Sequence, residues 1–203
     1  MALTHSPSII TDGLVLCLDT ANTKSYPGSG SSITDLSGNG VTATAANFTN
    51  ITTPYTGLRM VDDTGRINLS TIANITTVEL WFYQNTNNSN LARYLLDMRT
   101  GGSNGWFYDG GAGSNWSSGK MYVNGIDRGN PNWGNMESLT LENYAQVVLI
   151  ANTPATDDMN LFSRYSNNES LDVTFYSAKV YDRVLTASEV LQNYNALKGR
   201  FGL

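Results

Sequence analysis

The chain is short of reactive side chains. It has one cysteine, Cys17, and one histidine, His5, in 203 residues. A single cysteine excludes an intrachain disulfide and the cysteine-cluster zinc modules. A single histidine, set in the N-terminal stretch, excludes a histidine-based zinc site and leaves Ser-His-Asp catalysis without a positioned base. Charge is also scarce: 14% of residues are Asp, Glu, Lys or Arg, and 12 Lys+Arg against 17 Asp+Glu leave a net charge of −5. An acidic surface repels phosphate, so a nucleic-acid partner is not expected. No apolar run approaches the roughly 18 residues that a membrane-spanning helix needs, so membrane insertion is not expected.

Gly, Asn, Thr and Ser stand where the missing charge would be. That mix disfavours helices and favours strands joined by turns. The opening Met1–Asp12 stretch has no positive n-region and no apolar run of signal length, so it reads as an extended arm, and synthesis in a cytoplasm without a signal peptide is expected. The outward-facing composition is in tension with that. Residues 13–203 read as one domain, with no repeat and no linker-like break.

Gly13-Leu-Val-Leu-Cys-Leu-Asp19 is a nearly continuous apolar run, the pattern of a strand covered on both faces. Residues 20–50 read as an ordered surface loop, rich in turn signals. Further strands are predicted at 57–61, 66–69, 77–83, 93–98, 105–109, 120–123, 145–151, 161–165 and 171–181. In Thr77-Val-Glu-Leu-Trp-Phe-Tyr83, Val78, Leu80 and Phe82 share one face while Glu79, Trp81 and Tyr83 share the other, which marks a central strand. Asn124-Gly125 signals a two-residue hairpin turn, because a type I′ turn needs two residues tolerant of positive φ. One helix is predicted near the end. Thr186 and Glu189 form a capping box, Leu185 and Val190 a staple, and Val190, Leu191, Tyr194 and Leu197 the stripe that faces down, with Gly199 ending it.

Taken in order, Leu14-Val-Leu-Cys-Leu-Asp19, Tyr26-Pro-Gly-Ser-Gly30, Asp35-Leu-Ser-Gly-Asn-Gly40, Thr77-Val-Glu-Leu-Trp81, Lys120-Met-Tyr-Val-Asn-Gly125 and Val180-Tyr-Asp-Arg-Val-Leu-Thr-Ala-Ser-Glu189 resemble the concanavalin A-like jelly rolls of the laminin G type. The resemblance implies an all-β fold: a two-sheet antiparallel jelly-roll sandwich with one short C-terminal helix, closed by pairing of the first and last strands. It extends to stand-alone copies among bacteriophage structural proteins. That narrower likeness implies a non-enzymatic virion protein, a capsid decoration or a tail or fibre component. Such a protein would sit on the virion surface, dock to other capsid or tail proteins and associate with itself, for example as a trimer.

Three chemistries come into question, two of them from the family. Its glucanases carry a Glu-x-Asp-x-Glu triplet on one strand; this chain has none, and Glu79 stands alone between Val78 and Leu80, which points to a structural carboxylate and a non-enzyme. Carbohydrate binding is read from the residues themselves, since sugars present apolar C–H faces that stack on Trp and Tyr. Trp106, Tyr108, Trp116 and Trp133, in turn-rich sequence, are the candidates for a sugar site or a protein interface. No cofactor is expected other than calcium, for which Asp62, Asp63, Asp97, Asp109 and Asp127 offer carboxylates without a spacing motif.

Overall fold

The computed structural model describes residues 7–60, 64–86, 92–98 and 104–203. Strand pairing is antiparallel throughout the named strands and runs continuously through thirteen of them. Two unusually long strands hold the architecture together: β6 (Arg66–Gln84) and β12 (Tyr144–Leu161), paired with each other along both of their halves. Their register slips three times between Ile150 and Met159. Such bulges bend a strand, and here the bend carries one ribbon from the first layer of the sandwich into the second.

In the first layer, residues 77–84 of β6 and 144–150 of β12 are flanked by β13 (Val173–Tyr181) on one side and β10 (Lys120–Val123) with β11 (Ile126–Asp127) on the other. The free side of β13 is shared by β1 (Leu14–Asp19) and β5 (Gly57–Met60), and β5 carries β4 (Phe48–Ile51). In the second layer, residues 66–69 of β6 pair with β3 (Ala43–Ala46), which carries β2 (Ser32–Ile33). Beyond the far end of β12 come β7 (Tyr94–Asp97), β8 (Phe107–Tyr108) and β9 (Gly111–Ala112).

The two-residue periodicity of strands sends alternate side chains inward. Leu16, Leu18, Val78, Leu80, Phe82, Val147, Leu149 and Val180 of the first layer meet Ile33, Ala43, Ile67, Leu69 and Leu161 of the second in a single buried cluster. Each large apolar side chain buried there contributes about 1.5–3 kcal/mol. The result is an antiparallel jelly-roll-like sandwich, as the resemblance implied.

The first and last strands pair as expected, with Leu16 opposite Val180 and Leu18 opposite Ala178. The Asp35–Gly40 turn has a structural task that its sequence did not disclose. The Asp35 carboxylate accepts from the Cys17 amide (2.9 Å), the Leu36 amide donates to the Cys17 carbonyl (2.8 Å), and Ser37 Oγ donates to the Val15 carbonyl (3.1 Å). The turn therefore occupies the outer edge of β1, where unpaired amides would otherwise invite another strand. Burial pushes the Cys17 thiol up from its ordinary range, which leaves little thiolate at neutral pH. Cys17 is expected to react with a disulfide reagent in native buffer at least tenfold more slowly than in urea. Equal rates would contradict its position in this sheet.

Several expectations are revised. Residues 20–50 contain β2, β3 and most of β4; these strands are only two to four residues long, too short for an apolar period to mark them. The predicted strands at 66–69 and 77–83 are one strand, because the bend between layers interrupts the pattern and not the chain. A second helix, α1 (Trp133–Thr140), lies in a stretch that read as loop. Its N-cap is Asn132, whose side chain accepts from the Asn135 amide (3.0 Å). At the predicted hairpin, Asn124 (φ 53°) and Gly125 (φ 75°) both sit in the left-handed region, as a type I′ turn demands.

The C-terminal helix, α2 (Ala187–Leu197), begins with the expected capping box: Thr186 Oγ1 accepts from the Glu189 amide, and Glu189 Oε2 accepts from the Thr186 amide (2.8 Å). A 3-10 turn (Lys198–Phe201) extends the chain through Gly199, and left-handed Gly202 ends it. The stripe is rotated from the predicted one. Val190 and Asn193 are buried while Leu191 is 45% exposed. Hydrogen bonds from Arg183, and then from the Thr186 amide, hold the Glu189 carboxyl well below its ordinary 4.5, at about 2. A lowered folded-state pKa means that its contribution is complete above pH 4.5 and is lost as pH falls through about 2. Glu189→Gln is expected to flatten thermal stability over that window. An unchanged slope from pH 4.5 to 2 would show that the capping box is not the titrating element.

Candidate functional site

The four aromatic candidates do not form one exposed platform. Trp116 is fully buried in the main core, and Trp133 is 7% exposed, with its ring against Phe107 (5.7 Å) and beneath the Arg93 guanidinium (5.4 Å). Both are plugs at the end of the sandwich, and neither can stack on a sugar without leaving the core. Tyr108 is partly exposed but stacked on Tyr94 (4.7 Å, 11° between planes). Trp106 is partly buried beside Gly113, where an added Cβ would lie 2.9 Å from its ring. An aromatic in turn-rich sequence is here mostly a core residue reached by a loop.

The acidic candidates do not converge either. Asp97 accepts from the Tyr165 amide (3.0 Å), Asp109 pairs with Arg93 (3.2 Å), and Asp127 pairs with Lys120 (3.5 Å). Asp62 and Asp63 lie outside the described residues. Among the described residues no group of three or more His, Cys, Asp or Glu side chains comes together.

Glu79 lies on the outer face of the first layer, fully covered by α2. Its Oε1 accepts from Trp81 Nε1 (3.0 Å) and Lys179 Nζ (3.1 Å), and its Oε2 accepts from Asn193 Nδ2 (2.7 Å). Asn193 also receives the Ile10 amide on its Oδ1 (2.8 Å), and the Tyr181 hydroxyl donates to the Ile10 carbonyl (3.1 Å). This network ties the N-terminal arm, the central strands and the last helix together. Burial first, then the Glu79 charge, pushes the Tyr181 phenol up, so it stays protonated and able to donate.

Where the C-terminal 3-10 turn stops, the same outer face opens into a pocket of about 210 Å³. Its floor is one cross-strand row. Arg59 of β5 faces Thr174 of β13, Thr174 faces Tyr83 of β6, and Tyr83 faces Tyr144 of β12. Their chain neighbours Leu58, Phe175, Phe82 and Ala145 point into the core, so strand alternation places this row outside. Tyr83 and Tyr144 lie 5.0 Å apart at 58°, and Tyr144 and Tyr176 lie 5.8 Å apart at 50°. Phe201 of the 3-10 turn packs on Tyr144 (5.5 Å) and Tyr176 (5.1 Å), which fixes the wall. Thr53 and Pro54, from the connection between β4 and β5, form the rim.

The polar side is equally ordered. Asp172, just before β13, accepts from Asn85 Nδ2 (3.0 Å), Thr86 Oγ1 (3.2 Å) and Arg59 Nη2 (3.3 Å). Burial pushes the Tyr144 and Tyr176 phenols up, so both remain neutral hydroxyls at physiological pH. The site thus offers aromatic rings, neutral hydroxyls, an amide and a guanidinium, the last two held by Asp172 from outside the lining. Of these residues, only Tyr83 was visible beforehand, as the third member of the Glu79–Trp81–Tyr83 face. Asn85 and Thr86 follow Tyr83 in the chain, and the remaining members come from other segments, which no local pattern connects.

No family model and no curated protein matches the sequence. Solved structures match its fold. Trypanosoma rangeli sialidase in complex with sialic acid superposes with a TM-score of 0.60 at 16% identity, over 96% of this chain and 36% of that one. The same sialidase with the inhibitor DANA gives 0.59 at 16% identity, over 94% and 35%. The receptor binding domain of botulinum neurotoxin type G gives 0.55 at 11% identity, over 90% and 51%. This chain spans about a third of the length of the sialidases.

These matches overturn the expectation of a virion structural protein on a phage surface. The structures matched above are a sialidase and a toxin's receptor-binding domain, and they provide no link to capsid, tail or fibre. The physical reason is that a turn carrying the resemblance serves the fold itself, as Asp35–Gly40 does at the β1 edge, and so carries no information about a virion. An exterior composition is likewise shared by any sandwich with turn-rich surfaces. Among the described residues no helix is long and apolar enough to cross a membrane.

Proposed function

We propose that this chain is a non-catalytic, laminin G-like carbohydrate-recognition module that binds a sugar residue in the Tyr83–Tyr144–Tyr176 pocket. The observation that carries this reading is the row Arg59–Thr174–Tyr83–Tyr144, which exposes rings and polar groups on the face of a rigid four-strand platform. A sugar has an apolar C–H face and hydroxyl edges. It binds where an aromatic ring and an amide or carboxylate lie side by side, as they do here. At about 210 Å³ the pocket is below the roughly 300–1,000 Å³ of drug-sized sites, and so suits one ring. That the fold is shared with a sialidase bound to sialic acid and with a receptor-binding domain agrees with recognition at a cell surface or glycan. Binding is favoured over hydrolysis because Glu79 is sealed under α2 and Asp172 is held by three donors.

A glycan array followed by titration tests this. Wild type is expected to bind at least one glycan class, and Tyr83→Ala to weaken that binding at least tenfold with little change in melting temperature. In the wild-type protein, amide shifts on titration should centre on Tyr83, Asn85, Tyr144 and Thr174. A glycan that shifts only residues elsewhere, or turnover of a glycan by the purified chain, would overturn the reading.

A further inference from the structure

The pocket is walled where a sugar chain would continue. Strand alternation puts Trp81 on the same outer face as Tyr83, and two residues along a strand span about 6.7 Å. A chain lying along β6 with one ring on Tyr83 would therefore place its next ring over Trp81. That place is taken. Trp81 is fully buried, with the Phe201 ring stacked on it (5.0 Å, 17° between planes) and the Tyr194 ring stacked as well (5.8 Å, 5°). Phe201 is itself 4% exposed, and its neighbour Arg200 fastens the turn that carries it. Arg200 Nη1 donates to Asp19 Oδ1 (2.7 Å), and Nη2 donates to the Thr56 carbonyl (3.3 Å). The same wall runs on into the connection between β4 and β5: Tyr55 packs on Phe201 (5.3 Å), and its neighbours Thr53 and Pro54 line the pocket. Across the strands no second flat platform follows. The Tyr83 and Tyr144 rings meet at 58°, and the row continues through Thr174 and Arg59, which carry no ring.

Resting on the pocket's assignment as a sugar site, we infer that it reads a terminal residue, the end of a glycan chain, and not residues inside a chain. Phe201 sets this limit. It occupies the position that the second ring of a chain would need, on an indole that would otherwise extend the platform. A chain enters such a pocket by its end, and the residues behind that end remain in solvent and add little to binding.

The test titrates the full chain with linear malto-, cello-, laminari- and arabino-oligosaccharides, from mono- to pentasaccharide, and follows the amide shifts of Tyr83 and Tyr144. Within a series that moves them, wild-type affinity per chain is expected to stay within about threefold at every length. Phe201→Ala uncovers Trp81 and should make the pentasaccharide bind about tenfold more tightly than the monosaccharide. A wild-type affinity that climbs about tenfold or more with length, and is lost in Tyr83→Ala, would overturn this inference and leave the sugar site standing. A folded Phe201→Ala whose affinity is as flat as that of wild type would overturn the part assigned to Phe201. Binding unaffected by Tyr83→Ala, or no series that moves the pocket amides, would overturn the inference and the sugar site together. If Phe201→Ala does not fold, the wild-type length series decides alone.

Discussion

Lys179→Met is expected to lower stability by about 3–5 kcal/mol, because it leaves a carboxylate charge in the protein interior. Lys179 is 2% exposed, Glu79 is fully buried, and Nζ to Oε1 is 3.1 Å. The two face each other directly across β13 and β6, so neither can reach solvent by turning. Their attraction offsets the desolvation of both ions; alone, Glu79 keeps its own desolvation cost with only Trp81 and Asn193 as donors. The double variant Glu79→Gln/Lys179→Met is expected to recover at least half of the loss, since dangling neutral groups cost less than a buried charge. At about 2–4 °C per kcal/mol for a chain of this size, the single variant should melt roughly 10 °C lower. Urea titration of the four proteins of the cycle measures the coupling. Equal losses in the single and double variants would mean that packing, not charge, is what Lys179 supplies.

Asn193→Leu is the second. The side chains are similar in size, but three hydrogen bonds vanish: to Glu79 Oε2, to the Tyr181 hydroxyl and from the Ile10 amide. The first is to a buried charge and is worth about 1.5–3 kcal/mol, so a total near 2–4 kcal/mol is expected. Asn193 is also the joint between the arm and α2. Gln192 reaches the Ser8 carbonyl (2.9 Å), and Arg183 reaches Asp12 (2.8 Å), but Asn193 alone holds the Ile10 amide. Hydrogen exchange at Ile10 should therefore rise toward that of free chain, well beyond any rise in the amides joining β1 to β13. Protection at Ile10 that survives the substitution would show that the arm is held by its other contacts.

Local chemistry made part of this molecule legible. The capping box Thr186–Glu189, the Asn124-Gly125 turn and the strands Leu14–Asp19 and Lys120–Val123 rest on near neighbours in the chain, and the structure reproduces them. The alternation in residues 77–83 marked a central strand, and pairing with β12 on one side and β13 on the other bears that out. The pocket was not legible in the same way. Trp106, Trp116 and Trp133 drew attention because aromatics in loops are conspicuous, yet Trp116 and Trp133 are core. Tyr144 and Tyr176, the residues that form the wall, sit within ordinary strand sequence. Asn193, which was not in the predicted helical stripe, is buried and donates to Glu79.

The amino-acid sequence by itself determined the class of fold, the closing pair of strands, the start of the last helix and the exclusion of an intrachain disulfide. Those depend on composition, on two-residue periodicity and on bonds spanning a few positions. Only the tertiary structure decided which aromatics are exposed and that Arg59, Tyr83, Tyr144 and Thr174 share one row. It also decided that a lone carboxylate at position 79 is balanced from position 179. These depend on register between strands far apart in the chain, where a shift of one residue sends every side chain to the opposite face.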